Sequence, residues 1–376
     1  VSIDVHHVVD GPEGAPVVVL SGSLGSTLEV WEPQAAALSD EFRVVRYDTR
    51  GHGSSPAPDG PYTIADLGGD LLRLLDRLGV ERAHVAGMSL GGMTAMWLAA
   101  HAPERVDRIA LLCTSALLGP ARMWADRAAA VRAEGFAPVT AGLPDRWFTP
   151  GYAERHPDVV ARMREMMAGG SPEGYAACCD AIRGMDLRAD LGRIAAPALV
   201  VAGRQDPATP PDHAEAIAAG IGGARLHVLD GAAHLASWER AGAVNELLRG
   251  HFGAVRHEAG TAVRREVLGD THVDRAAAAA TPFTEPFQDL ITRYAWGEVW
   301  TRPGLDRRTR SCMVLTALVA KGHWDELAMH VRAAVRNGLS AGEIREVFLQ
   351  AAIYCGVPAA NKAFGIAQRV LTELED

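Results

Sequence analysis

A serine between glycines, Gly87-Met88-Ser89-Leu90-Gly91, fits the Gly-x-Ser-x-Gly pattern of a nucleophile elbow. In such a turn the hydroxyl stands at the tip of a sharp strand-to-helix bend, and the glycines keep Cβ atoms out of it. The run Ala83-His84-Val85-Ala86 predicts the strand leading in, and residues 92–100 predict the receiving helix. Two partners follow in order. Asp206 comes after the apolar run Ala198-Leu199-Val200-Val201-Ala202, and His234 follows the run Leu226-His227-Val228-Leu229. Alone, either reads equally well as a turn former or a surface histidine. Together, each at a strand end, they point to acyl transfer: Ser89 attacks a carbonyl, His234 takes its proton, and Asp206 orients and stabilises the imidazole.

The oxyanion of such a reaction needs two backbone N–H groups. One is that of Leu90, directly after the nucleophile. The other belongs to the loop after an early strand. Val17-Val18-Val19-Leu20 predicts that strand and Ser21-Gly22-Ser23-Leu24-Gly25-Ser26 the loop, with Leu24 as donor and Ser23 next in line. A second constellation lies far along the chain. Glu326 and His330 stand at i and i+4 and so share one helical face. A surface ion pair, two ligands of a metal site with no evident third, and an acid–base pair all fit that spacing.

The elements that must carry these residues fall into three patterns. Residues 1 to about 115 alternate strands and helices. Residues 42–48 form a strand that runs into a Gly-rich loop over 49–55. Thr63-Ile64-Ala65-Asp66 resembles a capping box opening a helix to Leu78, with Gly79 as its stop. Ile109-Ala110-Leu111-Leu112-Cys113 is the next strand. This alternation predicts a doubly wound, mostly parallel sheet, and Ser, Asp, His is the triad order of the α/β-hydrolases built on one. From about 116 to 190 helical pieces dominate, which predicts a cap inserted over the site. Strand–helix alternation returns at Pro197 and ends in a helix from Ala241 to about Phe252. After Gly253 strands vanish. Residues 254–282 are rich in Ala and charge, and helices follow over about 283–301, 306–321, 325–336, 341–354 and 358–374. Asn337-Gly338 closes one of these, Ser340-Ala341-Gly342-Glu343 opens the next as a capping box, and Pro358 suits the first turn of the last. Two domains are expected: residues 1–253 with the cap, and an all-α domain over 254–376.

Composition bounds the function. The chain has 376 residues and a net charge of −9, which argues against non-specific nucleic-acid binding. It has no apolar run of 18 residues, so no membrane span is expected. The segment Val1-Ser2-Ile3-Asp4-Val5-His6-His7 lacks a basic stretch followed by an apolar one, so no signal peptide is expected. Five cysteines, odd in number and without a Cys-x-x-Cys pair, suit a reducing cytoplasm.

Ser-Gly-Ser-Leu-Gly-Ser, Tyr-Asp-Thr-Arg-Gly-His-Gly-Ser-Ser, Gly-Met-Ser-Leu-Gly-Gly and Gly-Arg-Gln-Asp-Pro-Ala-Thr-Pro-Pro together resemble the 3-oxoadipate enol-lactonases over about 1–252. The resemblance implies ring opening of an enol-lactone through Ser89, Asp206 and His234. The substrate's free carboxylate would need a cation from the cap. Arg122, Arg127 and Arg132 are candidates, Arg132 foremost, with Trp124 and Trp147 as pocket walls.

The helical third carries Tyr-Ala-Trp-Gly-Glu-Val-Trp, Asp-Glu-Leu-Ala-Met-His and Tyr-Cys-Gly-Val-Pro-Ala-Ala-Asn. Over about 258–376 it resembles the 4-carboxymuconolactone decarboxylases, which share an all-α fold with thiol reductases. His323 and Glu326 occupy the two cysteine places of those reductases, which implies that thiol redox chemistry is excluded there. The resemblance implies cofactor-free and metal-free decarboxylation, with His330 as proton donor, Glu326 tuning it, and His323 and Arg310 stabilising the anion. It also implies a homo-oligomer formed through the helical domain. The two activities would be successive, acting on small-molecule substrates. The alternative is a serine carboxylesterase with a non-catalytic helical oligomerisation module.

Overall fold

Seven apolar segments pair into one sheet: β1 (His7–Asp10), β2 (Val17–Ser21), β3 (Arg43–Tyr47), β4 (Ala83–Met88), β5 (Val106–Leu112), β6 (Ala198–Gly203) and β7 (Arg225–Leu229). The structure, a computed structural model, describes residues 2–375; Val1, which opens the segment read for a signal peptide, and Asp376 lie outside them. The strand order is β1-β3-β2-β4-β5-β6-β7. All pairings are parallel except that of β1 with β3. β4 and β6 are buried at every residue, as a sheet covered on both faces requires. β1 was not foreseen; half of its four residues are β-branched, and only its pairing with β3 defines it.

Chain direction across the sheet reverses at β2. From β2 the chain steps outward to β3, then returns to place β4 on the other side of β2. Loops leaving β2 and β4 therefore diverge and open a crevice at the C-terminal edge, where doubly wound sheets bind ligands. The helix Ile64–Arg77 opens with the Thr63–Asp66 capping box and is followed by Gly79 at φ +64°. The helix Leu90–His101 starts directly after Ser89 and is buried along almost its whole length.

The cap is wholly helical. Its first and last helices, Ala121–Glu134 and Pro172–Arg183, pack together, and Arg132 on the first pairs with Glu173 and Asp180 on the last at 2.9 Å each.

The chain divides into two compact units, Val1–Phe252 and Gly253–Asp376. The helix expected to stop near Phe252 runs as one element over Ala241–Leu268. Residues 254–268 contain neither Pro nor a positive-φ glycine, so nothing in the backbone ends it before Gly269, at φ +88°. A further helix, Asp270–Ala278, falls where no element was assigned. The segment expected as one helix over 283–301 is instead α-helical over Glu285–Ile291 and π-helical over Thr292–Val299. Four helices complete the second unit: Arg307–Lys321, Trp324–Arg336, Ala341–Cys355 and Val357–Glu375. Their core holds Leu315, Val319, Leu327, Val331, Phe348 and Val370. The Ser340–Glu343 capping box forms as expected. Among the described residues no helix is long and apolar enough to cross a membrane.

Candidate active sites

Ser89 adopts φ +55° and ψ −116°, a strained conformation for a residue with a Cβ. The surrounding backbone holds it there. Its N–H donates to Leu112 O at 3.0 Å, and its carbonyl accepts from Thr114 Oγ1 at 2.6 Å. The flanking glycines are needed for close approach. A Cβ on Gly91 would lie 2.1 Å from the Ser21 carbonyl oxygen, and one on Gly87 would lie 2.2 Å from that of Gly91.

Asp206 sits in the turn after β6 and His234 in the loop after β7. Asp206 Oδ2 meets His234 Nδ1 at 2.8 Å, both buried. The carboxylate also accepts from the Ala208 N–H at 2.8 Å, the Thr209 N–H at 3.1 Å and Thr209 Oγ1 at 2.7 Å. Burial alone would raise the Asp206 carboxyl, but the His234 contact and the Thr209 hydrogen bonds outweigh it and hold it below the usual aspartate value. Asp206 is thus kept ionised against the imidazole. Ser89 and His234 face one cavity of about 250 Å³.

Ser23 and Leu24 line the same cavity. Leu90 is the first residue of its helix, so its N–H is among those without an intrahelical acceptor. The arrangement can hold a tetrahedral oxyanion between the two loops. One residue that positions this loop was not singled out from the sequence. Buried His52 accepts the Gly25 N–H on Nε2 at 2.9 Å and faces Arg50 O with Nδ1 at 3.1 Å. Those two bonds demand one neutral tautomer, and burial lowers the His52 pKa accordingly.

The cap lines the rest of the cavity. Trp124 and Trp147 are walls, as expected. Of the candidate arginines, only Arg127 lines it, its guanidinium 4.7 Å from the Trp124 ring centroid. Arg132 is not a lining residue: its charge is taken by Glu173 and Asp180. Arg122 is exposed beside Asp126. The second lining cation is Arg146, which the sequence reading passed over. It lies in a five-residue helix, Leu143–Trp147, too short to show a periodic face. Burial and the nearby Arg127 charge both lower the Arg146 pKa. Two guanidiniums that repel one another across a small cavity form a site for an anion.

In the second unit, the helix Trp324–Arg336 carries Glu326 and His330, with His323 as its N-cap residue. His323 and Glu326 are exposed and His330 is half-buried. Burial, then the neighbouring His272, push His330 down to about 4, and the raising effect of Glu326 is the smallest of the three. His330 is therefore neutral at neutral pH, an imidazole rather than the imidazolium that tuning by Glu326 would favour. Arg310 is spent on backbone carbonyls, donating to Leu305 O and Arg302 O. A cavity of about 340 Å³ in this unit is lined by Arg264, Gln288 and Thr292, and His323, Glu326 and His330 are not among its lining residues. Among the described residues no three His, Cys, Asp or Glu side chains cluster as metal ligands.

Comparison with known proteins agrees with this division. Residues 15–241 match the model of the alpha/beta hydrolase fold, and residues 285–369 that of the carboxymuconolactone decarboxylase family. The chain is 40% identical to 3-oxoadipate enol-lactonase 2 of Acinetobacter baylyi over 243 residues, 65% of this chain and 91% of that protein. Its helical third is 45% identical to 4-carboxymuconolactone decarboxylase of the same organism, over 32% of this chain and 89% of that protein. The same third is 46% identical to nitrosuccinic acid decarboxylase npaB of Metarhizium robertsii, over 31% of this chain and 82% of that protein. The chain therefore belongs to the α/β-hydrolase family in its first unit and to the carboxymuconolactone decarboxylase family in its second.

Proposed function

We propose that this chain is a bifunctional enzyme: it decarboxylates 4-carboxymuconolactone to 3-oxoadipate enol-lactone and then hydrolyses that lactone to 3-oxoadipate. The observation that carries the reading is the cavity holding Ser89, His234, Arg127 and Arg146, in a chain whose other unit belongs to a decarboxylase family. The paired arginines favour an anionic lactone over the neutral esters of a general carboxylesterase. Residues 1–253 act as the lactonase and residues 254–376 as the decarboxylase.

In the lactonase, Ser89 Oγ bonds to the lactone carbonyl carbon and its proton passes to His234. Charge gathers on the carbonyl oxygen, between the Leu24 and Leu90 N–H groups. The ring C–O bond breaks, and the enolate leaves with the proton from His234 and becomes a ketone. Water, deprotonated by His234, then releases the acyl group from Ser89. In the decarboxylase, the bond between the γ-carbon and CO2 breaks, and its electron pair enters the unsaturated lactone as a dienolate. A proton delivered to the α-carbon completes the step: His330, a neutral imidazole at rest, takes a proton from water and passes it on.

Exposed apolar side chains on the helical unit support a homo-oligomer: Phe283 (92% exposed), Tyr294, Ile353, Tyr354 (79%) and Val357. All five cysteines are free thiols, in keeping with a reducing cytoplasm.

The test feeds the purified chain 4-carboxymuconolactone and follows CO2 and 3-oxoadipate together. Ser89→Ala is expected to stop 3-oxoadipate formation while CO2 release continues and enol-lactone accumulates. His330→Ala is expected to stop CO2 release yet hydrolyse added enol-lactone. Turnover of simple esters with none of the enol-lactone would refute the lactonase.

A further inference from the structure

Arg264 stands apart from the other guanidiniums of the helical unit. It is 8% exposed, and no carboxylate pairs with it among the described residues. Its two terminal nitrogens donate to neutral oxygens, Thr292 Oγ1 at 3.2 Å and Gln288 Oε1 at 3.1 Å, and its Nε has no hydrogen-bond partner among the described residues. A buried charge without a counter-ion is costly. Burial accordingly lowers the Arg264 pKa. The neighbouring Arg265 shows the ordinary solution, paired with Asp270 and Asp274.

The backbone is shaped around this cation. A Cβ on Gly260, one turn before Arg264, would lie 2.0 Å from the Thr292 carbonyl oxygen, so glycine lets that segment approach. Thr292 begins the π-helical stretch, a form concentrated at functional sites. Arg264, Gln288 and Thr292 line the 340 Å³ cavity. Of its two lining carboxylates, Asp289 is paired with Arg293 and Glu285 is exposed. Burial, then the Arg264 charge, lowers the His272 pKa, and His272 is a charge neighbour of His330, the proposed proton donor, which does not itself line this cavity.

We propose that Arg264, held by Thr292 and Gln288, is the group that binds the retained carboxylate of the lactone in the decarboxylase site. The assignment rests on reading the helical unit as a decarboxylase. Chemistry selects which carboxylate. A cation on the leaving carboxylate would stabilise the charge that must depart as neutral CO2 forms, and so slow the step. On the side-arm carboxylate it anchors the substrate, supplies the missing counter-ion, and leaves the breaking bond free.

The test uses the intact chain. Arg264→Met is expected to raise KM for CO2 release at least thirtyfold with kcat within fivefold of wild type, and Arg264→Lys to fall between. Methyl esterification of the side arm should raise KM for wild type but leave Arg264→Met unchanged. A saturated, non-reacting analogue of the dicarboxylate lactone should raise the Tm of wild type and not of Arg264→Met. Should the Met variant fail to fold, the Lys variant and the wild-type ester comparison decide. Equal KM and equal ligand-induced Tm shifts in folded variants would overturn the assignment, as would a wild type indifferent to esterification. If wild type releases no CO2 at all, the decarboxylase reading fails; a Tm shift by the analogue that depends on Arg264 would still identify a carboxylate site.

Discussion

Arg146 and Arg127 are the two guanidiniums lining the hydrolase cavity, and the proposed preference for an anionic lactone rests on them. Arg146→Met should raise KM for enol-lactone about tenfold or more, since a charge-assisted hydrogen bond contributes on the order of 1.5–3 kcal/mol. Steady-state kinetics with the acid and its methyl ester would check this; an equal loss on both would refute an anion-specific role. Asp206 acts on the imidazole. Asp206→Asn keeps the shape but not the charge, and should lower kcat on the order of 10³–10⁴-fold with little change in KM. Ser89, Asp206 and His234 were legible because each follows an apolar run at the tip of a loop. Arg146 and His52 were not, because what gives them their place lies far away in sequence: Arg146 lines one cavity with Tyr175, Trp124 and Ser89, and His52 accepts the Gly25 N–H.

At the scale of elements, the nucleophile turn depends on backbone contact. Gly91→Ala would drive a Cβ into the Ser21 carbonyl, and either the loop carrying Leu24 or the helix after Ser89 must shift. Expected outcomes are a cost of several kcal/mol and loss of lactonase activity, read by thermal melts and enol-lactone turnover. The helix Ala241–Leu268 contributes a pH dependence through His251. Its Nε2 faces Ile109 O at 3.0 Å, and its Nδ1 faces the Arg225 guanidinium at 3.0 Å. Burial, then the charges of Arg225 and Arg108, push its pKa down to about 4. The unfolded chain binds this proton below about 6.5, whereas the folded one does so only near 4. Stability from this group is complete above pH 6.5 and is lost as pH falls toward 4, by at most on the order of 3 kcal/mol. His251→Gln should flatten the fall of Tm between pH 6.5 and 4.5; an unchanged slope would refute this account. Helix ends with capping residues were legible, as at Thr63 and Ser340. The π-helical stretch was not; its first residue, Thr292, lies against Gly260, a contact between residues remote in sequence.

For the molecule as a whole, the exposed side chains of Ile353, Tyr354 and Val357 lie at the junction of the last two helices. Ile353→Lys should shift the assembly toward smaller species in analytical ultracentrifugation, with far-ultraviolet circular dichroism unchanged. A wild type that sediments as a monomer would remove the homo-oligomer. Two units were legible because strand signals stop after β7, and helical periodicity with caps takes over. The boundary read at residues 253 and 254 lies within one residue of the division after Phe252. The end of the helix that starts at Ala241 was not legible, because a helix continues wherever nothing breaks it: residues 252–254 hold no Pro and no left-handed glycine.

The amino-acid order alone determined the parallel sheet, the loop positions of Ser89, Asp206 and His234 after their strands, and the helical second unit, because period, caps and turn residues are local. Tertiary structure decided which cations face a cavity and which are neutralised. Arg132 was withdrawn by Glu173 and Asp180, Arg146 was brought in, and Arg264 was buried without an acid. Charge pairing depends on distances between residues remote in sequence, and only the folded chain sets those distances.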